Sequence, residues 1–304
     1  MNKTRVFLSI LLLLVVVSVS VMADESLRVI TDETQISVVD GERPLFIYKY
    51  DQVPFKPYVQ ELFTPQGFNI LRDAPHDHLH HHSLMFAFSA DGASFWEETD
   101  KGGKQVHCSI NDTLVNNEAS GFSESLTWKL PSKQAVLVEQ RTIKVQKNKP
   151  YTLLTWESKF KTAAGKSSVE ISGSHYYGLG MRFLESMDKI GKFTNSAGTE
   201  GKIFRGEERL APAKWCSYTV DSGDHPVTVV MFDGPDNYRQ ATWFTMVKSF
   251  AYLSATMLYH EKPFKITEGN SLNLTYGVAV WDGVIKPETI SVAYQSWIDD
   301  LKSK

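Results

Sequence analysis

The sequence lacks several features that would assign it to a common functional class. Its 304 residues include only two cysteines and no CxxC pair, which excludes a zinc site built on paired thiolates. No cluster of Lys and Arg follows the N-terminus, and a protein that binds nucleic acid needs a basic surface to contact phosphates. The chain also lacks a serine-nucleophile elbow, a P-loop and a dinucleotide-binding loop. We therefore expect no nucleic-acid partner and no nucleotide cofactor.

Long apolar runs are absent except at the N-terminus. Residues 1–23 contain Lys3 and Arg5, an apolar stretch over 6–21, and a small-residue cleavage signature at 21–23, which together predict a secretory signal peptide. A single membrane span is the alternative, but the stretch is only about as long as the shortest spans and no positively charged stop follows it. The mature chain, 24–304, is predicted to be secreted or periplasmic, with no transmembrane span. Cleavage removes two basic and no acidic residues, so the formal charge changes from −3 to −5.

The two cysteines, Cys108 and Cys216, leave two alternatives open. An oxidising compartment would permit a disulfide between them. Two cysteines far apart in sequence are just as often unpaired. The pairing therefore cannot be decided from the sequence.

Short apolar runs with a period of two recur along the mature chain and predict an all-β fold. Long examples over 135–145 and 151–160 are joined by a turn-forming segment, and many strands at short, even spacing indicate antiparallel sheets stacked as a sandwich. Apolar residues recur every three or four positions over 287–301 and predict one C-terminal α-helix. No linker interrupts 24–304, so a single domain is expected. This architecture resembles the supersandwich of galactose mutarotase-like proteins, which bind sugars in an open cleft.

The strongest functional signal is a run of histidines. Five of the nine histidines fall within residues 76–82. On an extended backbone, alternation would place His76, His78, His80 and His82 on one side, and three such imidazoles can bind a divalent ion such as Zn²⁺. We therefore consider His78, His80 and His82 as possible metal ligands. A metal-free alternative makes His78, His80 and His81 general acids or bases, since imidazole titrates near neutral pH. A solvated polar loop without function is the third alternative.

Other polar and aromatic residues are candidates for ligand binding because they flank the histidine run or cluster near turns. Arginines can clamp anionic oxygens, aromatic faces can stack on sugar rings, and carboxylates can accept hydrogen bonds from hydroxyls. Glu98 is interpreted as an exposed strand end. No isolated pair of acidic residues suggests a glycosidase with two carboxylates. The candidate ligand-binding residues are Arg72, Asp77, Trp96, Glu97, His175, Tyr176, Arg182, Asp233, Asn237, Arg239 and Trp243.

The histidine segment resembles a family signature. Residues 77–84, followed by Phe-Trp-Glu-Glu at 95–98, are similar to the Asp-His-Pro-His-His-Arg-x-Leu…Phe-Trp signature of the PmoA-like family of secreted bacterial proteins of unknown function. Leu79 and His82 depart from the Pro and Arg of that signature, so an arginine that clamps an anion is missing there. Three further segments of the family fall in the expected order: 178–182, 232–239 with Trp243, and 276–283.

The resemblance implies a role related to carbohydrates, because members of the family are typically exported by bacteria that degrade polysaccharides. Some members are called methane oxygenases, but this chain has neither several membrane spans nor an evident oxygen-activating metal core. Two functions remain open. One is an exported enzyme acting on a sugar or glycoside, of lyase, epimerase or hydrolase type, with or without a divalent metal. The other is a non-catalytic protein of the cell envelope that binds glycans or metal.

Overall fold

A computed structural model of the chain describes residues 27–116, 119–146 and 149–303. The predicted signal peptide lies outside these residues. In chain order the strands are β1 Leu27–Thr31, β2 Gln35–Asp40, β3 Arg43–Lys49, β4 Tyr58–Leu62, β5 Leu84–Ala87, β6 Ser89–Ala90, β7 Ala93–Ser94, β8 Lys104–Val115, β9 Ala119–Lys129, β10 Ala135–Gln146, β11 Thr152–Thr162, β12 Ser168–Ser172, β13 Gly178–Arg182, β14 Lys192–Asn195, β15 Lys202–Ile203, β16 Arg209–Pro212, β17 Trp215–Val220, β18 Val227–Asp233, β19 Thr242–Met246, β20 Tyr252–Thr256, β21 Phe264–Thr267 and β22 Leu272–Asp282. A short 3-10 helix spans Glu185–Met187, and an α-helix, α1, spans Pro287–Lys302.

The strands form three sheets in which neighbouring strands are antiparallel. The ten-stranded sheet has the order β1-β2-β3-β4-β5-β13-β20-β19-β16-β15, the eight-stranded sheet β14-β17-β18-β22-β11-β10-β9-β8, and the four-stranded sheet β21-β12-β6-β7. Buried side chains from all three sheets join in one large apolar core. The predicted all-β, multi-sheet antiparallel architecture is therefore confirmed.

Helix α1 covers part of the eight-stranded sheet, as its apolar stripe predicts. Ile290, Ala293, Trp297 and Ile298 are buried in a second apolar cluster with side chains of that sheet. The indole Nε1 of Trp297 donates a hydrogen bond to Thr155 Oγ1 at 3.0 Å. Pro287 begins the helix, where its missing N–H costs nothing. The prediction of one C-terminal helix is confirmed.

Within the described residues, no helix is long and apolar enough to cross a membrane. Cys108 is exposed on β8 and Cys216 is buried on β17, and both thiols are free in this structure.

The centre of the ten-stranded sheet carries the features that matter for function. Strand β13 lies between β5 and β20, and β20 is followed by β19. Gly180 on β13 allows two side chains to approach the sheet closely, because a methyl group there would lie 2.7 Å from Trp96 Cη2 and would overlap the Tyr252 hydroxyl. The histidine run is the connection that leads into β5, so the sheet brings it next to β13 and β20.

Candidate functional site

The histidine run folds into two consecutive turns. The backbone N–H of His78 donates to Pro75 O, and that of His81 donates to His78 O, both at 2.9 Å. The N–H of Ala74 then closes the loop on His81 O at 3.0 Å. A turn of this kind reverses the chain every three residues, so side chains do not alternate as they would on a strand.

This turn geometry decides which imidazoles meet. The rings of His78 and His81 stack with centroids 4.6 Å apart, and the ring of His80 lies 4.5 Å from that of His81. The predicted extended alternation, which would place His76, His78, His80 and His82 on one side, is wrong. The three rings that converge belong to the residues predicted as acids or bases.

The converging imidazoles form one wall of a pocket of about 210 Å³. Five of the predicted site residues line it: His78, His80, His81, Glu97 and Tyr176. Six more residues come from distant parts of the chain, chiefly the β15–β16 hairpin and strands β19 and β20 with their connection. These six are Arg205, Glu208, Phe244, Met246, Phe250 and Tyr252.

His80 and Glu97 form an imidazole–carboxylate pair in the pocket. His80 Nε2 lies 3.8 Å from Glu97 Oε2, and both side chains are partly exposed to the cavity. Burial lowers the pKa of His80, although the negative charge of Glu97 opposes that effect. The imidazole is therefore neutral near pH 7 and can accept a proton, and Glu97 would stabilise the imidazolium that forms.

His81 is the innermost histidine of the pocket. Burial, followed by the neighbouring His80 and His78, lowers its pKa to about 2. Its Nδ1 is buried and has no hydrogen-bond partner among the described residues. A neutral imidazole with an unused polar atom can make a hydrogen bond to a ligand hydroxyl.

A second buried histidine lies beside the far wall of the pocket. His175 Nε2 and Glu208 Oε2 are 3.4 Å apart, but neither atom makes a hydrogen bond within the described residues. The His175 ring stacks on Phe204 with centroids 3.8 Å apart, and burial lowers the pKa of the imidazole. Glu208 in turn accepts from Arg205 Nη2 at 2.6 Å. The structure thus places His175 behind the pocket wall, in contact with a lining carboxylate.

His82 points away from the other histidines into a buried polar network. Its Nδ1 lies 2.8 Å from Asp73 Oδ1, and its Nε2 lies 3.2 Å from Glu98 Oε2. Glu98 also accepts from the fully buried Lys56 at 2.6 Å. The Asp73 carboxylate is therefore placed to fix the orientation of the His82 ring. The interpretation of Glu98 as an exposed strand end is wrong. Both ring nitrogens of His82 are engaged, so His78, His80 and His82 do not form one set of metal ligands.

Within residues 27–116, 119–146 and 149–303, no group of three or more His, Cys, Asp or Glu side chains is arranged to hold a metal ion. A divalent metal bound to His78 and His80 stays a prediction, without His82 as third ligand.

Four of the predicted ligand-binding residues lie next to the pocket without lining it: Trp96, Arg182, Asp77 and Arg72. Trp96 is buried, stacks on Tyr177 with ring centroids 5.0 Å apart, and lies 6.4 Å from the His81 ring. The Arg182 guanidinium lies 3.5 Å from the centroid of the Phe250 ring, which itself lines the pocket. Arg72, Asp77 and Arg182 line a neighbouring cavity of about 230 Å³. These residues support the pocket from behind.

The last group of predicted ligand-binding residues is not brought to the site. Asp233 is buried and accepts from the side chain of Asn237 at 2.7 Å and from the backbone N–H of Ala241 at 2.8 Å. Arg239 donates to Met257 O at 2.6 Å, and the indole of Trp243 donates to Ala213 O at 2.8 Å. These groups satisfy the backbone of a turn and of neighbouring strands, which is the ordinary role of Asp and Asn in turns.

Sequence reasoning missed the lining residues on the β15–β16 hairpin and on β19 and β20. Arg205 and Glu208 occupy a turn with no motif around it, and Phe250 and Tyr252 look like ordinary core aromatics. Only the order of strands in the ten-stranded sheet brings them opposite the histidines.

Comparison with known proteins gives a family and distant likenesses in fold. A family model described as "Family of unknown function (DUF6807)" matches residues 35–295. That description does not mention PmoA, so the resemblance to the PmoA-like family stays a prediction. A search of curated proteins finds no match.

Several solved structures are similar over most of the chain at very low sequence identity. A GH36 α-galactosidase from Geobacillus stearothermophilus has 9% identity and a TM-score of 0.47, over 84% of this chain and 40% of that one. An α-galactosidase from Lactobacillus brevis has 6% identity and a TM-score of 0.45, over 84% and 39%. A galactose mutarotase related enzyme from Lactobacillus acidophilus has 8% identity and a TM-score of 0.38, over 86% and 100%. The chain thus spans about 40% of the length of the two α-galactosidases, and these likenesses concern the fold alone.

Proposed function

Since the chain belongs to the DUF6807 family, whose function is unknown, we propose from its site that the protein is an exported enzyme acting on a sugar or glycoside. The single observation that carries this proposal is the pairing of His80 with Glu97, 3.8 Å apart, in a pocket with aromatic walls. Export is supported by the signal-peptide pattern of residues 1–23.

The pocket has the chemical character that a hydroxylated ring requires. Phe250, Phe244 and Tyr176 offer aromatic surface for the apolar face of a sugar ring, while Glu97 and the imidazoles offer partners for its hydroxyls. A binding pocket generally combines apolar walls with a few convergent polar groups. His81 adds a neutral imidazole to the lining.

In the proposed mechanism His80 is the general base. It is neutral near pH 7, and once it takes a proton from the ligand the resulting imidazolium is stabilised by the Glu97 carboxylate. A gap of 3.8 Å is longer than a hydrogen bond, but catalytic contacts often shorten only when substrate is bound. His78, whose ring lies 5.8 Å from that of His80 on the same wall of the pocket, is the proposed acid. Epimerase, lyase and hydrolase reactions would all fit such a site.

The test compares His80→Ala and Glu97→Gln with wild-type protein on a panel of neutral sugars and oligosaccharides. Binding is measured by protein-observed NMR, and turnover by substrate NMR, by absorbance of unsaturated products and by release of reducing ends. We expect turnover to fall by about 10²-fold or more in His80→Ala while binding is kept. His225→Ala and Glu42→Gln, both at exposed positions, are the matched controls.

Three outcomes distinguish the alternatives. Loss of turnover with binding retained supports the enzyme. Binding without any turnover in wild-type protein, weakened by His80→Ala, indicates the non-catalytic glycan-binding protein. Absence of both binding and turnover in wild-type protein contradicts the proposal, and repeating the assays after EDTA treatment and zinc addition tests the metal prediction.

A further inference from the structure

The charges that face the histidine pocket are few. Among its lining residues only Glu97, Glu208 and Arg205 carry a full charge at neutral pH or above. Arg205 pairs with Glu208 at 2.6 Å, and 72% of its side chain is exposed to solvent. Within the described residues, the ion-pair contact of Glu97 is with His80. The Glu97 carboxylate is therefore left without a permanent cationic partner.

Nearby cations are already compensated. The ammonium of Lys56 lies 2.6 Å from Glu98 and is fully buried behind the pocket. The guanidinium of Arg182 is stacked on Phe250, and its Nη2 lies 3.7 Å from Asp77 and 4.0 Å from Asp188. Neither cation lines the pocket. The charge of Lys56 does interact with that of Glu97, but the ion pair of Lys56 is with Glu98.

The permanent charges of the lining are two carboxylates and one guanidinium, so they sum to a negative charge.

Building on the proposed function, we infer that the pocket selects a hydroxylated ligand without negative charge, namely a neutral sugar or an amino sugar, and discriminates against uronates and sugar phosphates. An ammonium group would gain the attraction of Glu97, whereas a carboxylate would meet it at short range inside a partly desolvated cavity. Because the cavity is partly desolvated, two carboxylates repel each other more strongly there than at the same distance in bulk water. The expected discrimination against the uronate is about tenfold or more at low ionic strength.

The binding experiment uses matched trios of one ring configuration: neutral hexose, hexosamine and hexuronate, in the gluco, galacto and manno series. Affinities are measured by NMR at about pH 7, where the amino group of a hexosamine is mostly protonated, in low salt and in about 0.5 M NaCl. We expect the hexosamine to bind at least as well as the hexose and the hexuronate to bind worst. The difference in affinity between hexose and hexuronate should narrow in Glu97→Gln and stay unchanged in Glu42→Gln. Tightest binding of a hexuronate would overturn the inference while leaving the sugar function intact.

A second measurement tests the charge without any ligand. The methyl group of Met246 lines the pocket, and its NMR relaxation by cationic, neutral and anionic nitroxides reports the local potential. We expect the cationic nitroxide to act most strongly on Met246 and the difference to shrink in Glu97→Gln, relative to the exposed methyl groups of Val292 on α1. An anionic nitroxide acting most strongly would overturn the inference. A negative potential at Met246, together with no binding of any of the sugars, would support the inferred charge of the pocket and refute the proposed function.

Discussion

The substitution Glu98→Gln tests the buried network that adjoins the site. Glu98 accepts from Lys56 Nζ at 2.6 Å and lies 3.2 Å from His82 Nε2, and Lys56 is fully buried. Burial alone would raise the pKa of Glu98, but the hydrogen bond from His82 and the charge of Lys56 outweigh it and lower that pKa. A neutral amide keeps an acceptor oxygen but removes the negative charge, so the ammonium of Lys56 would stay buried with neutral acceptors such as the backbone carbonyl of Trp96, at 3.1 Å.

The magnitude follows from the cost of breaking a buried ion pair. Two unit charges about 4 Å apart attract by about 4 kcal/mol at an effective dielectric constant of 20, and removing one partner of a buried pair typically costs about 3–5 kcal/mol. We therefore expect Glu98→Gln to lower the free energy of unfolding by about 3 kcal/mol or more at pH 7. Because folding lowers the pKa of Glu98, its contribution is present above the pKa of the unfolded state and shrinks as the pH falls through the folded value.

Urea unfolding followed by circular dichroism measures this cost, with Glu42→Gln as an exposed control. The double variant Lys56→Met/Glu98→Gln closes a double-mutant cycle, and we expect it to recover part of the loss because the unpaired ammonium is gone. A loss below about 1 kcal/mol in Glu98→Gln, or no recovery in the double variant, would refute the reasoning.

Two further predictions concern other parts of the fold. Gly180→Ala should destabilise the protein by about 1–3 kcal/mol because the added methyl group overlaps the Tyr252 hydroxyl and lies 2.7 Å from Trp96 Cη2. In a Tyr252→Phe background the overlapping hydroxyl is gone, so Gly180→Ala should cost less there, and an equal loss in urea unfolding would contradict the overlap. Burial raises the pKa of Asp233 from its ordinary 3.8 to about 6, so its contribution to stability is fully present below about pH 4 and is lost as the pH rises to about 6. Asp233→Asn should therefore gain up to about 3 kcal/mol relative to wild type between pH 4 and pH 7, and parallel pH profiles of unfolding would argue against it.

The sequence by itself determined the fold class and the residue types at the site. Strand and helix patterns are local, because alternation with a period of two or recurrence every three to four residues depends only on neighbours along the chain. The long strands β10 and β11 and the helix α1 were accordingly predicted close to where they occur. The concentration of imidazoles before β5 could be read in the same way, since it needs no contact between distant residues.

Only the tertiary structure decided which of those groups form a site. Hydrogen-bonded turns, and not an extended strand, bring His78, His80 and His81 together and send His82 into a separate network. The pairing of β13 with β20, and of β20 with β19, places aromatic side chains from far along the chain opposite the histidines. The turn around Asp233 contains the polar residue types of a binding loop, yet its polar groups form hydrogen bonds with the backbone of the protein. Composition shows which groups could bind a ligand. Whether those groups instead form hydrogen bonds within the protein depends on partners that long-range strand pairing brings to them.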